Sequence, residues 1–170
     1  MNKFLARPLL SGLFALLTAL MMTGCNEVDS SRIPAYRVQI VFNAGQWDSF
    51  GVFGLGEHRE FIRETRTPSN FAFTETTFTG FGGVLLFYGM DPFTGEGRPL
   101  AYDLACPVEC KPDIRVVVDD NTLNAVCPVC GSHYNIYMSG GVATEGPAAT
   151  YRYQLRNYVV VPYNTGYIIK

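Results

Sequence analysis

The chain has 170 residues, of which 48% are hydrophobic and 16% are charged, and its formal net charge is −2. This length and apolar content suit one medium-sized domain with its own core, and they exclude a disordered chain. Lysine and arginine total 13 against 15 acidic residues and form no basic patch, so the sequence argues against a nucleic-acid partner. The 12 phenylalanines and 10 tyrosines are an aromatic content typical of β proteins.

Residues 1–24 are predicted to be a signal peptide. Lys3 and Arg7 precede an apolar stretch, residues 9–22, that is short for a bilayer span and suits the hydrophobic region of a signal peptide. The segment ends in Met-Thr-Gly-Cys25, which resembles the bacterial lipobox, where the cysteine is lipidated and becomes the first residue of the mature protein. The resemblance implies that acyl chains on Cys25 anchor the protein to a membrane of the cell envelope.

Residues 25–35 are predicted to be the lipidated cysteine and a short polar tether. Without Lys3 and Arg7 the mature chain is more acidic, so the anchor, rather than charge, is expected to hold it on the membrane. Asn26 follows Cys25 in place of the Asp that favours inner-membrane retention in some bacteria, which favours the outer membrane. The sequence does not identify a protein partner in the envelope.

Residues 36–170 predict an all-β domain of short strands separated by glycine and proline turns. Residues 36–42 alternate with period two, and residues 79–83 are a glycine-rich run that leads into a buried strand. Residues 43–45 are predicted as a turn, residues 145–149 as a proline loop, and no amphipathic helix is expected after residue 66. Further strands are predicted at residues 50–54, 59–64 (with a short helix at 59–66 as the alternative), 84–88, 100–105, 113–118, 122–126, 135–138, 151–155, 158–161 and 167–169.

Four of the five cysteines form two pairs, Cys106 with Cys110 and Cys127 with Cys130. Two cysteines separated by two or three residues can turn their thiolates toward one point, and the predicted hairpin brings the two pairs side by side. This is the spacing of a tetrahedral four-cysteine metal site. Gly131 lets the second loop turn back beneath the metal.

Three states of this site remain open from the sequence: zinc, a 2Fe–2S cluster with four cysteine ligands, or two disulfides. The signal peptide has no twin-arginine pair, which favours export of an unfolded chain and argues against a cluster assembled in the cytoplasm. Zinc needs no assembly machinery and is therefore favoured. A zinc ion closed by four cysteines is structural, and the sequence predicts no catalytic residues.

Residues 99–162 resemble the cluster-binding subdomain of the Rieske iron–sulfur family. The stretch from Cys127 to Tyr134, with Gly131 and Ser132 inside it, follows the family's Cys-Pro-x-His-Gly-Ser-x-Phe/Tyr motif except at one ligand, and Pro147 lies in a matching Gly-Pro-Ala loop. The resemblance implies a Rieske-like antiparallel β-sandwich over residues 36–170 with a small metal-binding subdomain. It also implies that Gly131, Ser132, Tyr134 and Pro147 surround the ligands.

The chain departs from the Rieske pattern at the histidine ligands. The family binds one iron through two histidines, whereas here Cys130 and Val108 occupy the two positions. The only histidines are His58 and His133, and neither lies at a ligand position. The prediction is therefore a membrane-anchored lipoprotein with a structural zinc site, and the alternative is an electron-transfer protein with a four-cysteine 2Fe–2S cluster.

Overall fold

A computed structural model describes residues 27–170, so the predicted signal peptide and Cys25 lie outside the described residues. Within this range the chain forms three antiparallel four-stranded sheets and two short helices, which confirms the predicted all-β class. The helices are α1 (Ala44–Phe50) and α2 (Gly146–Tyr151). The strands are β1 (Val38–Phe42), β2 (His58–Phe61), β3 (Phe78–Thr79), β4 (Val84–Met90), β5 (Gly97–Asp103), β6 (Val117–Asp119), β7 (Asn124–Val126), β8 (His133–Asn135), β9 (Val142–Glu145), β10 (Asn157–Tyr158), β11 (Val160–Tyr163) and β12 (Gly166–Ile169).

The first sheet has the strand order β11-β12-β1-β3 and pairs the last described strand, β12, with the first, β1, so that Ile40 lies opposite Ile169. The turn predicted after β1 is instead the start of α1. Asn43 accepts a hydrogen bond from the backbone of Gln46, and the Gln46 side chain accepts one from the backbone of Asn43. This capping box satisfies exposed N–H groups of the first turn, and the helix then buries Trp47.

The central sheet, with the order β10-β5-β4-β2, is covered on both faces. In β4, Val84 and Leu86 belong to the first core, which also contains residues of β1 and β12. Leu85 and Phe87 belong to a second core, here called the cysteine-side core. All four side chains are fully buried, which confirms the predicted buried strand and explains why its apolar run does not alternate with polar residues.

A tight contact joins the glycine run before β4 to the end of β5. A Cβ at Gly82 would lie 2.5 Å from the backbone nitrogen of Ala105, so the two backbone segments approach too closely here for any side chain. The buried Asp103 carboxylate accepts hydrogen bonds from the N–H groups of Phe81, Gly82 and Ala105 and from the Tyr158 hydroxyl. No local sequence pattern predicts this network, because it joins residues 81, 103 and 158, which are far apart in the chain.

The third sheet, with the order β6-β7-β8-β9, carries the cysteine loops. The predicted β6–β7 hairpin is present, although β6 and β7 are shorter than expected. It turns at Asp119, whose backbone carbonyl accepts from Leu123 N–H. Val117 pairs with Val126 at the other end of the hairpin, next to the cysteine loops. Through its buried residues this sheet packs on the β4 and β5 side chains of the cysteine-side core.

Two predictions near the C-terminus were wrong. The expected proline loop is the first turn of α2, where Pro147 is tolerated because the first N–H groups of a helix have no partner within it. The expected strand at residues 151–155 is the end of α2 followed by isolated bridges, in which Tyr153 pairs with Asp29 and Gln154 with Val142.

Part of the predicted tether is bound to the domain. Asp29 donates its N–H to the carbonyl of Arg152 at 2.9 Å and accepts from Gln154 N–H at 3.0 Å. Ile33 is fully buried, and its carbonyl accepts from Arg156 at 2.9 Å. An apolar side chain in a polar segment gains free energy by leaving water, which gives the segment a reason to pack rather than extend.

Candidate metal centre

The two cysteine loops lie together at one end of the third sheet. Cys106 follows β5 closely, and its N–H donates to the carbonyl of Ile114 at 3.0 Å. Cys127 directly follows β7, and its N–H donates to the carbonyl of Ser132, just before β8, at 2.9 Å. The loop that begins at Cys106 therefore follows a strand of the central sheet, and the loop that begins at Cys127 follows a strand of the third sheet.

Three cysteines bring their sulfur atoms to one point. The Sγ atoms of Cys106, Cys127 and Cys130 lie within 4.8 Å of one another, and the Cys106 and Cys130 sulfurs are 3.6 Å apart. Zn–S bonds of about 2.3 Å in a tetrahedral shell separate the sulfurs by about 3.8 Å, so these positions fit one metal ion. Cys106 and Cys127 are buried and Cys130 is half-buried. The cluster could therefore bind a metal with little rearrangement.

Cys110, the fourth predicted ligand, is not in this cluster. Its Sγ donates to the backbone carbonyl of Arg32, 3.4 Å away, in the N-terminal segment. Its backbone has φ +50°, in the left-handed region that few residues other than glycine adopt. All four cysteines of the described residues are free thiols. The structure thus joins three of the four predicted ligands and uses the fourth to contact the N-terminal segment.

Two buried hydroxyl groups contact the sulfur cluster. The Ser132 Oγ lies 3.2 Å from the Cys130 sulfur and accepts the N–H of Ala148, in α2, at 3.0 Å. The Tyr134 hydroxyl lies 3.4 Å from the Cys106 sulfur. Both side chains are fully buried, so these contacts hold the sulfurs in fixed directions.

Gly131 and Pro147, the other residues expected around the ligands, lie in the second cysteine loop and in α2 respectively. Gly131 has φ +68° and donates its N–H to the carbonyl of Cys127 at 3.0 Å, which closes the second loop. Pro147 lies in the first turn of α2. The neighbouring Gly146 is packed so closely on this loop that a Cβ there would lie 2.8 Å from Ser132 Cα.

The environments of the sulfurs differ. Burial raises the pKa of the Cys106 thiol to about 12, although hydrogen bonds from the Tyr134 hydroxyl and from backbone N–H groups partly offset this effect. Burial also acts to raise the pKa of Cys130, but hydrogen bonds with Ser132, Cys127 and Cys106 together outweigh it, and that pKa falls below its ordinary value. Burial and the contact with Cys106 raise the pKa of Tyr134, which keeps its hydroxyl neutral and able to donate to a thiolate.

The histidines do not complete a Rieske ligand set. The Nδ1 atom of His58 lies 3.3 Å from the carbonyl of Gly56 and 3.8 Å from the Asp120 carboxylate, at the turn end of the hairpin. His133 lies in β8, and among residues 27–170 the metal-ligand cluster contains only cysteines. The residues present therefore fit a thiolate-bound metal and do not fit a cluster with two histidine ligands.

The contact between the N-terminal segment and the first cysteine loop was not foreseen from the sequence. The signal that pointed to it is Ile33, an apolar residue followed by a proline within an otherwise polar stretch. The N-terminal segment also contacts the chain just after α2, because the guanidinium group of Arg32 lies 5.6 Å from the ring centroid of Tyr153. The segment that follows Cys25 thus ends beside the candidate metal centre.

Comparison with known proteins yields no match: no family model, curated protein or solved structure matches the chain. The Rieske resemblance therefore rests on the motif residues alone. In the described part of the chain, neither helix has the combination of length and apolar character that crossing a membrane requires.

Proposed function

We propose that this protein is a lipid-anchored protein of the bacterial cell envelope whose Rieske-like β domain holds a structural zinc ion at the cysteine site. The observation that carries the proposal is the convergence of the Cys106, Cys127 and Cys130 sulfurs, within 4.8 Å of one another. Zinc suits this site because it is bound well by thiolates and does not require a cluster to be assembled before export.

The position of the site supports a structural role. Cys106 lies just after β5 of the central sheet, whereas Cys127 and Cys130 lie in the loop between β7 and β8 of the third sheet. A metal bound to all three would connect the two sheets at one end of the cysteine-side core. The binding free energy would then contribute directly to folding stability.

The lipid anchor is supported by the lipobox-like sequence that ends at Cys25. Acyl chains there would hold the domain on the membrane without a spanning helix. The following Asn26 favours the outer membrane in this proposal. Because Asp29 is hydrogen-bonded to the domain, the domain would lie close to the lipid surface rather than at the end of a long spacer.

Electron transfer by an all-cysteine 2Fe–2S cluster is the second candidate. It is favoured by the Ser132 and Tyr134 hydroxyl groups, since hydrogen bonds to sulfur adjust the reduction potential of such clusters. The half-buried Cys130 would provide a route to a redox partner. The two candidates differ in metal and in colour, so one preparation separates them.

The test is metal analysis of the full chain extracted from membranes in detergent, together with its visible spectrum and a count of free thiols. One zinc per chain and no visible absorbance would support the proposal. Two irons with visible absorbance would establish the second candidate, and thiols fully oxidised without metal would contradict both. In parallel, the Cys25→Ser variant should lose incorporation of labelled fatty acid, and incorporation at the wild-type level would contradict the anchor.

A further inference from the structure

The two cysteine loops have the same backbone design. Each begins Cys-Pro-Val, in Cys106 to Cys110 and in Cys127 to Gly131. In the first loop the N–H of Cys110 donates to the carbonyl of Cys106 at 2.8 Å, and in the second the N–H of Gly131 donates to the carbonyl of Cys127 at 3.0 Å. The last residue has a positive φ in both, +50° and +68°. Position by position, Cys110 therefore corresponds to Gly131, and Glu109 corresponds to Cys130.

This correspondence explains why Cys110 is separate from the other sulfurs. A Cβ built on Gly131 would meet nothing within 4 Å, so that position faces open space rather than the sulfur cluster. Cys110 has the same place in its own loop, and its Sγ contacts the Arg32 carbonyl. Because Sγ is only one bond beyond Cβ, rotation about the Cα–Cβ bond is the only side-chain freedom that moves it. Cys110 is thus suited to hold the N-terminal segment.

We propose that Glu109, rather than Cys110, supplies the fourth ligand of the metal centre. Its counterpart, Cys130, places its sulfur 3.6 Å from that of Cys106, so this loop position faces the cluster. The Glu109 carboxylate is not among the atoms that lie within 4.8 Å of one another, and binding requires its side chain to rotate toward the metal. The inference rests on the proposed function, because it completes the same site.

Two further observations fit this assignment. Glu109 is half-buried, and its backbone N–H donates to the Cys106 sulfur, so its backbone lies beside the cluster. A carboxylate oxygen binds Zn²⁺ at about 2.0–2.2 Å, and three thiolates with one carboxylate leave the same net charge, about −2, as four thiolates. The harder oxygen ligand favours a divalent ion such as Zn²⁺ over Cu(I).

The test is titration of the reduced, metal-free full chain with Co²⁺, followed by competition with Zn²⁺. Sulfur-to-cobalt charge-transfer absorption reports how many thiolates bind. Three variants are compared with the wild type: Glu109→Gln, Cys110→Ser and the matched control Glu96→Gln, which replaces an exposed glutamate in the β4–β5 hairpin.

We expect Cys110→Ser and Glu96→Gln to keep the wild-type spectrum and affinity, and Glu109→Gln to weaken binding at least about ten-fold, the loss found when even indirect ligand contacts are removed. Loss of charge-transfer intensity in Cys110→Ser, with Glu109→Gln unchanged, would overturn the assignment while leaving the metal site in place. A wild-type chain that binds neither ion would overturn both the assignment and the proposed function.

Discussion

Ser132 offers the sharpest test of how the protein supports its cysteine cluster. Its hydroxyl oxygen accepts the buried N–H of Ala148 at 3.0 Å and lies 3.2 Å from the Cys130 sulfur. In Ser132→Ala the Ala148 N–H loses its partner in a site closed to water, which costs about 1–3 kcal/mol. The lost contact to sulfur should also weaken zinc binding by about 10- to 100-fold.

The assay is urea unfolding of Ser132→Ala and wild type, with and without bound zinc. The matched control is Ser139→Ala, an exposed serine in the turn after β8, which should change the unfolding free energy by less than about 0.5 kcal/mol. The cost in Ser132→Ala should be about 2 kcal/mol without metal and larger with it, since the second contact acts on the bound thiolate. A Ser132→Ala protein as stable as the control in both states would refute this reasoning.

Three further predictions concern stability. Gly82→Ala should destabilise the domain by about 3 kcal/mol or more, because the new Cβ would lie 2.5 Å from the backbone nitrogen of Ala105. The control Gly54→Ala, whose Cβ would meet nothing within 4 Å, should change the free energy of unfolding little; urea unfolding measures both. Tyr158→Phe should cost about 1.5–3 kcal/mol through the lost hydrogen bond to Asp103, measured against the exposed Tyr163→Phe; equal costs would contradict that role. Chelation should lower the melting temperature and zinc should restore it. The zinc-dependent gain should shrink as pH falls because protons compete for the thiolates, and a gain independent of pH would argue against cysteine ligands.

The strands with a clear local pattern were predictable from the sequence. The period-two alternation of residues 36–42 predicted β1. The apolar run that follows Gly82 and Gly83 predicted β4 and its burial. The β6–β7 hairpin followed from the two short strands predicted at residues 113–118 and 122–126, and the hairpin in turn predicted that the cysteine loops would lie side by side. In each case the signal lies within about ten residues of chain, which is the range that side-chain periodicity and turn chemistry control.

The two short helices were not predictable in the same way. α1 has seven residues and α2 has six, too few for a 3.6-residue period to become visible. Asn43 and Gln46 have the spacing of a capping box, but that signal is weaker than the aromatic and glycine content around it. α2 is stabilised by contacts with a distant loop, in particular the bond from Ala148 to Ser132.

At the candidate site the sequence located all four cysteines but not the directions of their side chains. Spacing alone treats Cys110 and Cys130 as equivalent second members of their pairs. The backbone separates them, because Cys110 lies four residues after Cys106 with a left-handed φ, whereas Cys130 lies three after Cys127. The contact of Cys110 with Arg32 joins residues 78 apart in the chain, and no local pattern encodes it.

The most direct test of a cysteine-bound metal is X-ray absorption at the zinc edge of the full chain, purified with its metal. We expect sulfur scatterers at about 2.3 Å, three of them per zinc, with one oxygen at about 2.0–2.2 Å. The Cys127→Ser variant should lose the metal or show fewer sulfurs. A zinc shell built only of nitrogen and oxygen, or a wild-type spectrum that persists in Cys127→Ser, would contradict a metal centre at these cysteines.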